Sequence, residues 1–225
     1  MDKIKEVLIY RLGNHTAFTL FGLPVPESVA VTWLIMAALA LGSWLATRRL
    51  KEEKPGRFQL VLEMFVELIS SFCRESTGEH WRSFAPYLGT VALYLGFANL
   101  IGILGLTPPT KDINVTAALG LMSVCLIYGA SFYYKGLAGG LHKFAEPMAF
   151  LLPINLMEVL IRPLSLCMRL FGNVLGSFVI MELIKTVAPV LAPLPFSMYF
   201  DVFDGIIQTI VFVFLTALFL GEAVE

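Results

Sequence analysis

A single arginine, Arg169, lies inside a long apolar stretch in the second half of the chain, PLSLCMRLFGNVLGSFVIMEL at residues 163–183. Its guanidinium has no accessible neutral form, and a charge at the centre of a bilayer costs roughly 2.5 to 3.5 kcal/mol on insertion scales. A cation in such a place normally faces an anionic partner or water. Arg169 is therefore the first candidate for a functional residue.

Polar and small residues accompany Arg169 along one face of a helix. At spacings of three, four and seven residues they are Arg162, Ser165, Gly172, Asn173 and Gly176. The residues alone leave two interpretations open. One is a polar surface that presents the arginine; the other is a small-residue packing face, with Arg169 reaching towards an interface.

A second polar stripe begins the last apolar segment. Asp201, Asp204 and Gln208 follow one another at spacings of three and four on one helix face, and Thr209 and Thr216 add hydroxyls further along. Helix capping by Asp201 and ordinary packing of Gln208 would also explain the pattern. Two carboxylates followed by an amide are nevertheless more typical of a narrow polar path through a membrane.

The remaining polar groups are scattered. Asp112 and Asn114, in DINVT at 112–116, predict either a turn with a helix cap or the external mouth of the third apolar span. Asn155 and Glu158 precede Arg169, whereas Glu182 and Lys185 follow it.

Neither the cysteines nor the histidines predict a metal site or a disulfide. The cysteines have no C-x-x-C spacing, so we expect small buried apolar residues at all three. The histidines lie in predicted loops or tails, where we expect them to be solvated. These residues are Cys73, Cys125, Cys167, His15, His80 and His142.

The composition is that of an integral membrane protein. Hydrophobic residues make up 57% of the 225 residues, charged residues 15%, and the mean hydropathy is +0.79. The net charge of -1 gives no basic excess that would indicate nucleic acid. No glycine loop for a nucleotide is present, and no apolar signal-peptide core precedes Pro24, so we expect insertion through the chain's own spans.

Apolar length predicts five membrane segments in an all-α fold. Spans are expected at 29–45, 84–106 and 116–134, and a longer region, 148–220, is divided by the prolines of APVLAPLPF. Between the first two spans, residues 57–73 have helical periodicity; they predict an amphipathic interfacial helix, with a packed loop as the alternative.

The basic residues predict the orientation. Nine of them lie in loops on one side and four on the other, so the first group is expected to be cytoplasmic, the N-terminus outside and the C-terminus inside. The first group is Arg48, Arg49, Lys51, Lys54, Arg57, Arg74, Arg82, Lys135 and Lys143, and the second is Lys3, Lys5, Arg11 and Lys111.

The segment 148–188 is too long for an upright span. Its 41 residues would extend about 60 Å as a helix, twice the thickness of the hydrocarbon core. The helix therefore either breaks at 161–163, which would reverse the sidedness of the C-terminus, or is steeply tilted.

Three sequence elements carry a family resemblance: RPLSLCMRLFGN (162–173), PPTKDINVT (108–116) and IIQTIVFVFLTALFLGEA (206–223). Together with the five-span plan, they resemble subunit a of F-type ATP synthases, the stator half of the ion-translocating motor. The resemblance implies that Arg169 is the family's essential arginine and that its last two helices form a tilted hairpin. It also matches Gln208, Asp201, Ser165 and Asn173 to polar positions of the family.

One position departs from the family pattern. Many members carry Glu or His nine residues after the essential arginine, in the outer half-channel, whereas this chain has Phe178. Glu182, which shares the helix face of Phe178, or Asp204 could supply the carboxylate instead.

The resemblance implies a non-catalytic subunit in which two offset half-channels pass protons, or sodium ions, to and from a rotating ring of c subunits. Our hypothesis for the outer half-channel is Asp201, Asp204, Gln208, Glu182, Asp112 and Asn114, and for the inner one Asn155, Glu158 and Arg162.

Expected partners are the c ring, the b subunits of the peripheral stalk, other ATP synthase subunits and membrane lipid, with no cofactor or metal. We expect an external segment at 1–28, one membrane domain at 29–225 with the ion-translocating hairpin at 148–221, and a bacterial plasma (inner) membrane location.

Two other functions fit the residues less well. A self-contained secondary transporter with an intramembrane Arg and Asp site would need an internal repeat, and the RLFGN segment has no second copy. A purely anchoring subunit would need no charge at Arg169.

Overall fold

The computed structural model describes residues 16–20, 23–48, 56–145, 152–187 and 193–224. A short hairpin, β1 (Thr16–Leu20) and β2 (Leu23–Pro26), is followed within these ranges by helices only. The α-helices are α1 (Glu27–Thr47), α2 (Arg57–Thr77), α3 (Trp81–Leu100), α4 (Ile113–Ala145), α5 (Leu152–Val187), α6 (Pro193–Ser197) and α7 (Gly205–Val224). Short 3₁₀ helices lie at Gly78–His80, Ile101–Leu104 and Pro109–Lys111, and a π-helix at Met198–Asp204 leads into α7.

In the part of the chain that the structure describes, five helical segments are long and apolar enough to cross a membrane, so the predicted all-α class and number of spans are confirmed. They are Glu27–Thr47, Arg57–Leu104, Ile113–Gly136, Met157–Lys185 and Pro195–Val224. The second of them joins α2 to α3, and α2 confirms that residues 57–73 form a helix rather than a loop.

Helix α5 settles the question of the break, because it runs without interruption through Pro163. Its 36 residues are about 54 Å long at 1.5 Å per residue.

Helix α4 does break, at Gly136, whose φ of 73° and ψ of 168° lie outside the helical region. Glycine has no Cβ and adopts a positive φ without the steric cost that other residues pay.

Two apolar clusters hold the helices together. The first contains Ile35, Leu95, Leu170 and Phe212, from α1, α3, α5 and α7. The second joins α2, α3, α4 and α7 through Cys73, Leu88, Ile127 and Leu220. Helix α7 contributes to both clusters, so it is held from two sides, and the first cluster packs it against α5.

Glycines allow the backbones to approach closely at two helix contacts. A Cβ on Gly120 of α4 would lie 3.1 Å from the carbonyl oxygen of Pro163 in α5. A Cβ on Gly221 of α7 would collide with the carbonyl oxygen of Ser76 in α2. Small residues at such contacts are typical of helix packing in membranes.

The β1–β2 hairpin was not predicted from the sequence. Its strands are antiparallel, with Phe18 opposite Val25 and an irregularity between Thr16 and Phe18. Phe18 also contacts Trp33 of α1, with ring centroids 6.4 Å apart. The strands have only five and four residues, too few for a clear alternating pattern.

The cysteine prediction was partly wrong, because Cys125 is exposed whereas Cys73 and Cys167 are buried. A free cysteine behaves as a small hydrophobic residue, and single exposed hydrophobic residues are normal at a protein surface. His80 is half-buried and packs edge-on against Tyr134 at 4.2 Å. His15 and the side chain of His142 lie outside what the structure describes.

Candidate functional site

Arg169 lies at the surface of α5, while its neighbour Leu170 is completely buried. Leu166 and Leu170 turn one side of the helix towards the first apolar cluster. The Arg169 guanidinium forms no hydrogen bond and no ion pair with any residue that the structure describes. The helix therefore presents an uncompensated positive charge outside the packed core.

A hydrogen-bonded network joins α5 to the start of α7, one and two turns beyond Arg169. Asn173 Nδ2 donates to Asp204 Oδ1 at 2.9 Å and to Gln208 Oε1 at 3.3 Å. Ser177 Oγ donates to the other carboxylate oxygen, Asp204 Oδ2, at 3.4 Å. Gln208 is only 4% exposed. Among the described residues, the donors to the Asp204 carboxylate are thus a neutral amide and a hydroxyl.

Asp201 does not share this network, so the expectation of a single face for Asp201 and Asp204 was wrong. Asp201 Oδ2 accepts from Ser197 Oγ at 2.5 Å, and its carboxylate lies over Gly102, where a Cβ would be 3.0 Å from Oδ1. The reason is the π-helix Met198–Asp204, because i→i+5 bonding places more residues in each turn than the α-helical spacing assumes.

Helix α3 contributes a buried polar group that the sequence reasoning missed. Asn99 Nδ2 donates to the Gly205 carbonyl oxygen at 3.2 Å and to Thr209 Oγ1 at 3.4 Å. Its Oδ1 accepts from Thr110 Oγ1 at 3.1 Å. Asn99 is 5% exposed and Thr110 is fully buried. An asparagine within an apolar span was the available signal.

Asp112 caps helix α4, as the capping interpretation predicted. Asp112 Oδ1 accepts from the backbone N–H of Asn114 at 3.0 Å and from its Nδ2 at 3.1 Å. The other oxygen, Oδ2, accepts from Ser28 Oγ of α1 at 2.6 Å, and Asp112 is 3% exposed. This carboxylate also ties α1 to the start of α4.

The face of α5 opposite Arg169 has different chemistry. Phe178 follows Arg169 by nine residues, about two and a half turns. The Nζ of Lys111 lies 4.5 Å from the centre of its ring. One turn further along, Glu182 is 6% exposed and accepts from Lys185 Nζ at 3.3 Å. Two lysines are therefore near this face.

At the other end of α5, Arg162 forms two ion pairs. Its Nη2 lies 3.0 Å from Glu158 Oε1 and 2.8 Å from Glu222 Oε2, and the guanidinium stacks on Phe219 at 4.7 Å. Glu222 was not among the predicted site residues. Ser165 is exposed, and the side chain of Asn155 lies outside what the structure describes.

Comparison with known proteins identifies the family. The family described as ATP synthase A chain matches residues 29–221. The chain belongs to this family. It is 34% identical over 226 residues to the protein named ATP synthase subunit a of Moorella thermoacetica, covering 100% of this chain and 99% of that relative. It is 36% identical over 214 residues to ATP synthase subunit a 2 of Bradyrhizobium sp., covering 95% of each.

The resemblance read from the RLFGN element is thereby confirmed. The chain is a multi-pass membrane protein and a non-catalytic stator component of the Fo sector. It takes part in ion translocation during ATP synthesis and assembles with other ATP synthase subunits.

Proposed function

We propose that this chain passes protons through two offset half-channels to and from a rotating ring of c subunits, each with one mid-membrane carboxylate. The observation that carries the proposal is Arg169, exposed on α5 and without an ion-pair partner in the described chain. A charge left uncompensated in an apolar helix implies an anion supplied by another chain.

Arg169 acts as an electrostatic barrier between the two half-channels. Its guanidinium keeps its charge at any physiological pH, so a ring carboxylate that arrives beside it is favoured in the ionised form. That carboxylate must first release its proton into one half-channel. The same positive charge repels a cation that would cross directly, so reloading takes place from the other half-channel after the ring has turned.

Asp204 is the carboxylate that takes the place of the missing group at Phe178. It lies on the Arg169 side of α5, in contact with Asn173 and Ser177, whereas Glu182 lies on the opposite side. The outer path follows the network of Asp204 and Gln208. Asp201, Asp112 and Asn114 border its entrance, and Asn99 and Thr110 extend the polar wall. Glu182 stays outside this path, in its ion pair with Lys185.

The inner path starts at the other end of α5. Glu158 and Arg162 lie at its mouth, together with Asn155, and Ser165 and Asn173 flank the arginine along the same stripe. The membrane potential drives the movement. Each elementary charge that crosses gains about 2.3 kcal/mol per 100 mV.

The orientation of the chain and its contacts with other subunits are part of the same proposal. We place residues 1–28 outside and the C-terminus in the cytoplasm of a bacterium, with one membrane domain at 29–225 and the ion-translocating hairpin at 148–221. The hairpin faces the c ring, and the b subunits of the peripheral stalk hold the chain still. Proton coupling predicts that flux in the reconstituted complex is independent of sodium at a matched membrane potential.

Replacement of the arginine tests the proposal. In vesicles that contain the complete synthase, Arg169→Ala should lower ATP synthesis and ATP-driven proton pumping by on the order of 100-fold, because a preorganised charge at the reacting group is removed. Arg57→Ala, which removes an exposed arginine at the start of α2, serves as the matched control and should leave both rates near the unmodified level. Pumping retained in Arg169→Ala would overturn the proposal.

A further inference from the structure

Two arginines lie on the same stripe of α5, one with carboxylate partners and one without. Arg162 and Arg169 are seven residues apart, about 10 Å along the helix. The side chain of Arg162 is 14% exposed and lies within 3.0 Å of two carboxylates. Arg169 is exposed and has no carboxylate partner in the described chain.

We propose that Glu158 and Glu222 neutralise Arg162, so that Arg169 is the only cation on this stripe that attracts the ring carboxylate. Glu158 and Glu222 would then be positioning residues for ion transfer rather than only the lining of an inner path. This inference rests on the proposed function, because it presupposes a ring carboxylate that moves along this face of α5.

The geometry holds Arg162 firmly against its partners. Glu158 is one turn away on the same helix, and Glu222 comes from the last turn of α7. The guanidinium also stacks on Phe219, one turn before Glu222 on α7. The neighbouring Gly221 packs against the backbone of Ser76, which fixes this end of α7 next to α2.

One ion pair, Arg162 with Glu222, would be enough to connect α5 to α7, yet two carboxylates surround the Arg162 guanidinium. Glu158 and Glu222 are 52% and 46% exposed, so solvent screens each of them, and one alone would leave part of the Arg162 charge uncompensated. An uncompensated Arg162 would favour the ionised ring carboxylate at a second position, about two turns from Arg169. The ring would then be held there, and transfer to the inner path would be slow.

A pair of variants separates charge compensation from a structural role. In complete synthase in vesicles, the double variant Glu158→Gln with Glu222→Gln should lower ATP-driven proton pumping by about tenfold, a change that a modest rise of the barrier produces. Adding Arg162→Gln removes the surplus charge and should raise pumping at least about threefold above that of the double variant. The amount of assembled complex is measured in each case. Glu63→Gln with Glu67→Gln, on α2, removes two other carboxylates and serves as the matched control.

The outcomes discriminate clearly. If the double variant pumps like the unmodified complex, the inference is wrong. If the triple variant is as slow as the double, the ion pairs serve only as a structural clamp, and the inference is also wrong. A failure of the proposed function is recognised separately, because Arg169→Ala would then keep pumping whatever the Arg162 variants do.

Discussion

Asp204 and Glu182 are two carboxylates beside α5 that lie on opposite faces of the helix and have different neighbours. Asp204 is half-buried and accepts from the amide of Asn173 and the hydroxyl of Ser177. Glu182 is 6% exposed and pairs with the ammonium of Lys185 at 3.3 Å. Sequence alone left both as candidates for the carboxylate that is absent at Phe178.

The two carboxylates also differ in the charge of their neighbours. Glu182 forms an ion pair with Lys185 on the face of α5 opposite Arg169. The donors to Asp204 among the described residues are neutral, and they lie on the Arg169 side of α5. We therefore assign ion transfer to the Asp204 face and a fixed charge pair to the Glu182 face.

Replacement of Asn173 should lower proton pumping more than the glycine replacement described next. Asn173→Leu removes the 2.9 Å donor to Asp204 and leaves Gln208 Oε1 without this amide. The loss of such hydrogen bonds costs about 1 to 3 kcal/mol, so ATP-driven proton pumping should fall about tenfold. The rate is measured against the amount of assembled complex. An unchanged rate at full assembly would mean that Asp204 works without its amide partner. The neighbours of Asp204 would then not explain its assignment to ion transfer.

A smaller effect is expected at Gly102, which bears on Asp201 rather than on Asp204. A Cβ in Gly102→Ala would lie 3.0 Å from Asp201 Oδ1, so the carboxylate must rotate and weaken its bond from Ser197. One hydrogen bond contributes about 1 kcal/mol, and pumping should therefore fall roughly two- to fivefold.

Gly96→Ala is the matched control for this variant, because nothing lies within 4 Å of the added Cβ in α3. Alanine also favours the helix, so the control should assemble at least as well as the unmodified chain. If Gly102→Ala pumps like Gly96→Ala, Asp201 does not need its present position, and the outer path ends at Asp204.

The membrane spans were predictable because every span must meet the same requirement for apolar length. A helix must be about 20 apolar residues long to cross the bilayer, and the predicted first span, 29–45, falls within α1 (Glu27–Thr47). Arg169 was predictable for the same reason, since a charge in such a run is conspicuous.

What the sequence did not predict depends on contacts between segments or on irregular helix geometry. The spacing of Asp201 and Asp204 assumes an α-helix, and nothing in MYFDVFD signals a π-helix. Glu222 becomes relevant only because α7 brings it to Arg162, sixty residues earlier in the chain. Asn99 likewise depends on its tertiary partners Gly205 and Thr110.

A direct comparison of Asp204→Asn with Glu182→Gln tests the central claim that ions reach Arg169 along the Asp204 face. Both changes replace a carboxylate by an amide of nearly the same size. The measurement is passive proton conductance through the Fo sector in vesicles, driven by an imposed membrane potential and normalised to assembled complex. Asp204→Asn should lower the conductance by on the order of 100-fold, because a group that transfers protons is lost. Glu182→Gln should stay within about twofold, because Lys185 is half-exposed and water can solvate it. Normal conductance in Asp204→Asn together with loss in Glu182→Gln would contradict the account.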